Sequence, residues 1–233
     1  SERYRRQNFL QTNDLKGDKV VLERNLYDKL VEVENANRIT IFSLARLAES
    51  RDKYTGNHIE RVGSLCLDLA GAIEEEYFVE NGVDKELVLE TIELASTLHD
   101  IGKVAIPEHI LMKPGKLTDE EMDIMRKHTI YGYETLMQIR ENYSSNNFVN
   151  MGTEICRYHH ERWDGKGYPE GLKGFKIPLV ARIVMVVDVF DALVSERPYK
   201  KALSLGESLE IIKKSRGQMF DPVVMDHFIR LFD

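Results

Sequence analysis

Five of the seven histidines in the 233-residue chain stand where imidazole rings could act together. They occur in "GNHIER", in "LHDIGK", after "DIMRK" and as a pair in "RYHHERWDGKGYP". Neutral imidazole is a common ligand of transition-metal ions, and carboxylates often complete such sites. A single histidine is more often a hydrogen-bonded structural residue, so the interpretation depends on the fold bringing these side chains together. The five candidates are His58, His99, His128, His159 and His160.

An acidic residue inside an apolar segment strengthens the case for a bound cation. Asp188 lies in "RIVMVVDVFDAL", which otherwise suits a protein interior. A buried, ionised carboxylate without a partner costs several kcal/mol, so a cation is expected beside it. Periodicity alone does not choose between Asp188 and Asp191.

The number of possible ligands indicates two metal ions rather than one. Five imidazoles and two carboxylates exceed what a tetrahedral zinc site uses. They match two ions of higher coordination number that share a bridging carboxylate. Adjacent helical residues diverge by roughly 100°, so His159 and His160 are expected to serve two neighbouring ions.

The elements that would position these residues are helices. Apolar residues recur at helical spacing in "NHIERVGSLCLDLAGAIEEEY" and in "DKELVLETIELASTLHD". Thr118 and Glu121 form a capping-box pattern that predicts a helix start. Pro178 predicts the first turn of the buried helix that carries Asp188. No alternating pattern is long enough to indicate a strand, so the predicted class is all-α.

Residues 18–48 carry an apolar stripe that predicts a long N-terminal helix. Such a helix either pairs with a second copy or packs on its own domain, and the pattern favours neither. We expect residues 1–48 to form a connecting helix able to dimerise, and residues 49–233 to form the main domain. The stripe comprises Leu22, Leu26, Leu30, Val33, Asn37 and Leu44.

Composition argues against several classes of protein. The net charge of -7 argues against a general DNA- or RNA-binding surface. The longest apolar run, near "VARIVMVVDVF", is too short and too charged to span a bilayer. Cys66 and Cys156 form no ligand or disulfide pattern, which predicts reduced thiols and a cytoplasmic protein. The opening "SERYRR" has no initiator Met, so we expect a longer protein with an upstream segment.

Several motifs together resemble the HD-GYP family of cyclic-di-GMP phosphodiesterases, within the superfamily of HD metal-dependent phosphohydrolases. The resemblance runs from about residue 50 to the C-terminus. It implies an HD-domain helical bundle preceded by a connecting helix. The motifs are "HDIGK" (99–103), "KPGKLTDEE" (113–121), His128, "HHERWDGKGYP" (159–169), "VVDVFDALVSERPYK" (186–200) and "GQMFDP" (217–222).

The resemblance also implies a ligand set, in which Asp100 bridges two ions and Asp188 is selected over Asp191. The implied metal ligands are His58, His99, Asp100, His128, His159, His160 and Asp188.

Other positions are implied to contact the substrate. Lys103, Arg197 and Lys200 would contact its phosphates, with a solvated surface charge as the alternative for the last two. Gly167, Tyr168 and Pro169 would form the motif loop, with Tyr168 next to the substrate.

At one position the chain departs from the family pattern. Members with a third metal usually carry a Glu four residues before the first ligand histidine, where this chain has Tyr54. A phenol with a pKa of about 10 is a poor ligand for a hard metal at neutral pH. We therefore expect two divalent ions, iron or manganese ahead of nickel or zinc. Asp52 is a candidate to replace the missing acid in part or to bind the substrate.

The implied reaction is hydrolysis of cyclic-di-GMP to linear pGpG by a hydroxide that bridges the two ions, with little further cleavage to GMP. A second interpretation is a cyclic-di-GMP receptor that has lost turnover. A third is an HD hydrolase of another cyclic nucleotide. Expected partners are a second copy of the chain, an upstream sensory or receiver domain and diguanylate-cyclase-type proteins.

Overall fold

The computed structural model describes residues 2–49, 57–196 and 201–232, with side chains from residue 19 onward. Within these ranges the chain forms α-helices and three short 3-10 helices but no β-strand, which confirms the predicted all-α class. The 3-10 helices are Ser96–Leu98, Ile101–Ala105 and Gly174–Lys176. The α-helices are α1 (Glu2–Glu49), α2 (His58–Ala72), α3 (Glu75–Glu80), α4 (Lys85–Ala95), α5 (Glu108–Leu111), α6 (Asp119–Arg126), α7 (His128–Asn142), α8 (Asn147–Tyr158), α9 (Leu179–Val194), α10 (Leu205–Lys213) and α11 (Pro222–Arg230).

The chain divides into two compact units, Ser1–Ile41 and Phe42–Asp233. The first unit consists of most of α1, and its apolar stripe is open to solvent: Leu22 is 68% exposed and Leu26 59%. The expected domain boundary after residue 48 stays a prediction. No described helix combines the length and the apolar character that crossing a bilayer requires.

The core of the second unit surrounds α9, because this helix is apolar on nearly every side. The helix packs against α2, α8 and α10, while α4 packs against α2 and α8. Leu69, Ile92, Ile155, Ile183 and Phe228 are fully buried in this core. Each such side chain contributes roughly 1.5–3 kcal/mol on leaving water. The core therefore fixes the helices whose ends carry the predicted ligands.

Side-chain caps determine where several helices begin. Thr118 and Glu121 form the predicted capping box at the start of α6. Asn146 accepts a hydrogen bond from the backbone N–H of Val149 and so starts α8, the helix that ends next to the histidine pair. Caps of this kind contribute about 1 kcal/mol each.

A largely buried cluster of four polar residues joins α3, α9 and the start of α11. We call Tyr77, Asn81, Arg182 and Asp221 the arginine cluster. Arg182 donates to the carboxylate of Asp221, to the amide oxygen of Asn81 and, at 3.1 Å, to the hydroxyl of Tyr77. Tyr77 in turn donates to Asp221 at 2.6 Å. The members therefore satisfy one another's hydrogen-bonding groups.

Candidate metal centre

His99 and Asp100 lie in the turn between the first two 3-10 helices. The ring of His99 is fully buried, and its Nδ1 donates to the carbonyl oxygen of Ser96 at 2.8 Å. Because a carbonyl oxygen can only accept, Nδ1 carries the hydrogen and Nε2 presents a lone pair. Gly102 lets this turn lie against α7, since an added Cβ would stand 2.0 Å from the carbonyl oxygen of His128.

His128 and His159 are oriented by the same kind of contact. His128 Nδ1 donates to the carbonyl oxygen of Met125 at 2.8 Å, and His159 Nδ1 donates to that of Ile155 at 2.9 Å. Their Nε2 atoms lie 3.5 Å apart, with both lone pairs directed into the same space. Such an arrangement suits a shared cation.

Asp100 stands between these rings. Its Oδ1 lies 3.3 Å from His128 Nε2, and its Oδ2 lies 3.3 Å from His99 Nε2 and 2.6 Å from Lys103 Nζ. Burial alone would raise the pKa of Asp100, but the charges of Lys103 and His99 outweigh it and hold the pKa well below its usual range. The carboxylate is therefore ionised, and its two oxygens face different imidazoles, as a bridging ligand requires.

His160 faces the same space from the end of α8. Its ring centroid lies 4.0 Å from that of His159 and 4.8 Å from that of Tyr168. The ligand atoms of Asp100, His128, His159 and His160 all lie within 4.8 Å of one another, so this set could hold one ion. This proximity favours a shared ion for the two adjacent histidines. The expectation that they serve two neighbouring ions stays a prediction.

The structure distinguishes Asp188 from Asp191, which periodicity could not. Asp188 Oδ1 lies 3.8 Å from His58 Nε2 and 3.9 Å from His99 Nε2, in the position of a further ligand. Asp191 instead accepts from His58 Nδ1 at 2.7 Å and from Arg61 at 2.6 and 2.9 Å. Asp191 thereby fixes the His58 ring with Nε2 toward Asp188.

The surroundings of His99 and His160 shift the pKa values of these two rings in opposite directions. Burial disfavours the charged form of His99, but Asp100 and Asp188 outweigh it and raise the pKa of His99 to about 10. Burial lowers the pKa of His160 to about 3.

The available donor atoms fit two transition-metal ions. Besides the group around Asp100, a second group consists of Glu49, His58 and His99, again with ligand atoms within 4.8 Å of one another. His99 Nε2 and Asp100 Oδ1 are buried and make no hydrogen bond to any described residue. Buried polar atoms are nearly always paired, so these orphans indicate a missing ligand, and imidazole with carboxylate suits iron, manganese, nickel or zinc.

The motif loop is held against the end of α8 by Glu161. This side chain is 1% exposed and accepts from the backbone N–H groups of Glu170 at 2.7 Å and Leu172 at 2.9 Å. Gly167 lies so close to the preceding turn that an added Cβ would stand 2.5 Å from the carbonyl oxygen of His160. The loop therefore places Tyr168, followed by Pro169, beside the histidine pair.

Comparison of the sequence with models of protein families shows the family to which the chain belongs. The model of the HD domain family matches residues 43–224, most of the chain. The chain belongs to the HD domain family. The resemblance inferred from the motifs, and with it the predicted HD-domain fold, is thereby confirmed.

Known relatives of this HD domain differ in the substrates that their names carry. The chain is 44% identical over 220 residues to the cyclic di-GMP phosphodiesterase response regulator RpfG of Xanthomonas campestris, covering 94% of this chain and 54% of that protein. It is 37% identical over 207 residues to the 3'3'-cGAMP-specific phosphodiesterase 2 of Vibrio cholerae, covering 88% and 36%. The chain thus spans only about half, or less, of the length of these relatives.

A solved structure shares the fold of the HD domain. An HDG"Y"P protein from Bdellovibrio bacteriovorus matches with a TM-score of 0.57 at 17% identity, covering 87% of this chain and 64% of that chain. At this level of identity the likeness concerns the fold alone.

Four residues implied by the sequence lie outside the described part of the HD domain. They are Asp52, Tyr54, Arg197 and Lys200. Their proposed roles stay predictions.

Sequence reasoning missed Glu49 and Glu161 and gave no role to Asp191. For Glu49 a signal was present, because it lies four residues after the buried Ala45 on the same face of α1. An acid on a buried helical face is a reason to look for a cation. Glu161 follows the histidine pair directly, but nothing in its spacing shows that it accepts backbone hydrogen bonds.

Proposed function

We propose that the chain is the catalytic unit of a metal-dependent phosphodiesterase that converts cyclic-di-GMP to linear pGpG. The convergence of histidine nitrogens and carboxylate oxygens on one buried space carries this proposal. The name of the relative at 44% identity supports the choice of substrate.

The proposed metal ligands are His58, His99, Asp100, His128, His159, His160 and Asp188, with Asp100 shared between two ions. When bound, divalent ions activate water near neutral pH and neutralise charge on a phosphate. Iron or manganese is proposed ahead of nickel or zinc.

The residues of the chain supply position and charge for this reaction. Lys103 Nζ lies 2.6 Å from Asp100, so its positive charge stands where a scissile phosphate would enter and would oppose the negative charge that develops there. Tyr168 borders the same space beside His160 and can pack against the substrate. Water adds to phosphorus, the bond from phosphorus to the ribose 3′ oxygen breaks, and that oxygen takes up a proton.

The test is anaerobic turnover of cyclic-di-GMP, with products separated by chromatography and bound metal measured on the same sample. Accumulation of pGpG by protein that holds about two ions per chain, as two groups of ligands predict, is the expected result. Full metal loading without product would contradict the proposal and favour the receptor interpretation.

A second candidate substrate is 3'3'-cGAMP, because a relative at 37% identity carries that specificity in its name. The two dinucleotides differ in one base, so a direct competition between them shows which one the protein prefers as substrate. Preferential loss of cyclic-di-GMP from an equimolar mixture is expected; preferential loss of 3'3'-cGAMP would replace the proposed substrate.

We also propose that the exposed stripe on α1 pairs with a second copy of the chain. Leu22, Leu26 and Leu30 recur at helical spacing and are 59–68% exposed. Replacing Leu26 and Leu30 together by Glu is expected to convert a dimer to a monomer in sedimentation, whereas a wild-type mass that stays monomeric at every concentration would exclude the dimer. An upstream sensory or receiver domain, diguanylate-cyclase-type partners and a cytoplasmic location remain parts of this proposal.

A further inference from the structure

A third carboxylate faces the candidate metal centre from the end of α1. Glu49 is only 8% exposed, and its Oε1 is buried without a hydrogen-bond partner among the described residues. Its ligand atom lies within 4.8 Å of those of His58 and His99. A buried carboxylate oxygen without a partner is costly, whereas imidazole nitrogens and a carboxylate together are a common set of metal ligands.

We propose that Glu49 is a metal ligand of the ion held by His58 and His99. This proposal rests on the metal centre proposed above and adds one residue to it. Asp188 Oδ1 lies 3.8 Å from His58 Nε2 and 3.9 Å from His99 Nε2, so the same ion would receive two imidazoles and two carboxylates. Asp100 Oδ2, 3.3 Å from His99 Nε2, is close enough to serve as the shared ligand.

The distribution of ligands between the two ions supports a role for Glu49. The other group offers three imidazoles, from His128, His159 and His160, but only the carboxylate of Asp100. With Glu49, the ion at His58 and His99 becomes the carboxylate-rich one of the pair. Such an environment suits harder ions such as manganese and ferrous iron better than an imidazole-rich one does.

Glu49 also gives the centre an acid despite Tyr54. Tyr54 lies four residues before His58, whereas Glu49 lies nine residues before it, at the last position of α1. The carboxylate would thus reach the centre from a helix end.

The test compares Glu49→Gln with Glu76→Gln, which makes the same chemical change on the exposed face of α3. Gln keeps the size of Glu but is a poor metal ligand. Manganese content is measured by elemental analysis after dialysis against a graded series of chelator concentrations, with circular dichroism as a check on folding. We expect Glu49→Gln to lose one ion at a chelator concentration ~10-fold or more below that for wild type, since even residues that only orient ligands contribute 10–100-fold. Glu76→Gln should match wild type.

A second variant separates a ligand from a packing residue. Glu49→Asp keeps a carboxylate on a shorter arm, so its affinity for the affected ion should lie between those of wild type and Glu49→Gln. Equal metal retention in wild type and Glu49→Gln, or equal loss in Glu49→Asp and Glu49→Gln, would overturn the role of Glu49. In either case, continued hydrolysis of cyclic-di-GMP would leave the proposed function standing. Wild-type protein that binds no manganese or iron at all would overturn both.

Discussion

Two polar clusters each include a side chain of α9, Arg182 in one and Asp188 in the other, and they differ in how their hydrogen bonds are completed. In the arginine cluster, the guanidinium of Arg182 reaches a carboxylate, a hydroxyl and an amide oxygen, and Asp221 also accepts from the backbone N–H of Val223 at 2.8 Å. In the candidate metal centre, His99 Nε2 and Asp100 Oδ1 are just as deeply buried but have no hydrogen-bond partner among the described residues.

This difference separates a structural cluster from a binding site. Polar groups that satisfy one another's hydrogen bonds have none left for a ligand, so such a cluster stabilises the fold. Buried polar groups that are oriented by outside contacts toward one shared point are costly unless a ligand binds there. The two clusters should therefore respond to mutation in opposite ways.

The largest effect is expected from Asp100→Ala, which removes the carboxylate shared by both groups of ligands. Metal and hydrolysis should be lost together, with turnover lower by about 10³-fold or more, because the lost stabilisation of the transition state amounts to several kcal/mol. Metal analysis and product chromatography on one sample measure both. A metal-loaded Asp100→Ala protein with wild-type turnover would refute the assignment of the centre.

Asp221→Ala tests the other cluster. It leaves Arg182 as a buried charge without its carboxylate, so the free energy of unfolding should fall by about 3–5 kcal/mol. Denaturant titration measures this loss. Metal content per folded chain should stay at the wild-type value, and a selective loss of metal would show that the two clusters are not independent.

Asp191→Asn tests a residue that orients a ligand without being one. Its carboxylate holds His58 by Nδ1, and loss of that contact should weaken metal binding by about 10–100-fold. Chelator competition measures the affinity. Asp226→Asn is the matched control, because Asp226 forms the same two-pronged contact with Arg216 at 2.6 Å on the surface. Equal metal affinities in Asp191→Asn and Asp226→Asn would show that Asp191 does not position His58 for metal binding.

The smallest effect is expected from Glu161→Gln. An amide offers one acceptor fewer to the N–H groups of Glu170 and Leu172, which should cost the loop about 1–3 kcal/mol. KM for cyclic-di-GMP should rise while metal content stays unchanged. Glu170→Gln, at an exposed position of the same loop, should leave KM near wild type. Metal loss in Glu161→Gln would place that residue with the ligands instead.

The sequence predicted the helical class, because helix periodicity is a local signal. The set of seven proposed ligands came from the family resemblance of the motifs. Periodicity alone could not choose between Asp188 and Asp191, since the two stand three residues apart on nearly the same face of α9. The sequence also did not predict the contacts that orient His99, His128 and His159. Their acceptors are backbone carbonyl oxygens, which every residue type possesses.

The sequence did not predict the proposed role of Glu49 as a metal ligand for a different reason. That role depends on where the end of α1 lies relative to α2 and the turn after α4, which is a relation between distant parts of the chain. A pattern along one helix shows which face is buried but not which side chains meet that face.

The backbone contact at Gly102 bears on how substitutions elsewhere in the domain would affect the spacing of the proposed ligands. Because the 3-10 helix that follows His99 and Asp100 rests at Gly102 directly on the backbone of His128, main-chain contact helps to set the spacing between these three side chains. Substitutions that alter the volume of the surrounding apolar core would then leave this spacing nearly unchanged. A main-chain contact of this kind lets the side chains of the rest of the domain be replaced while the distance between the reactive groups is preserved.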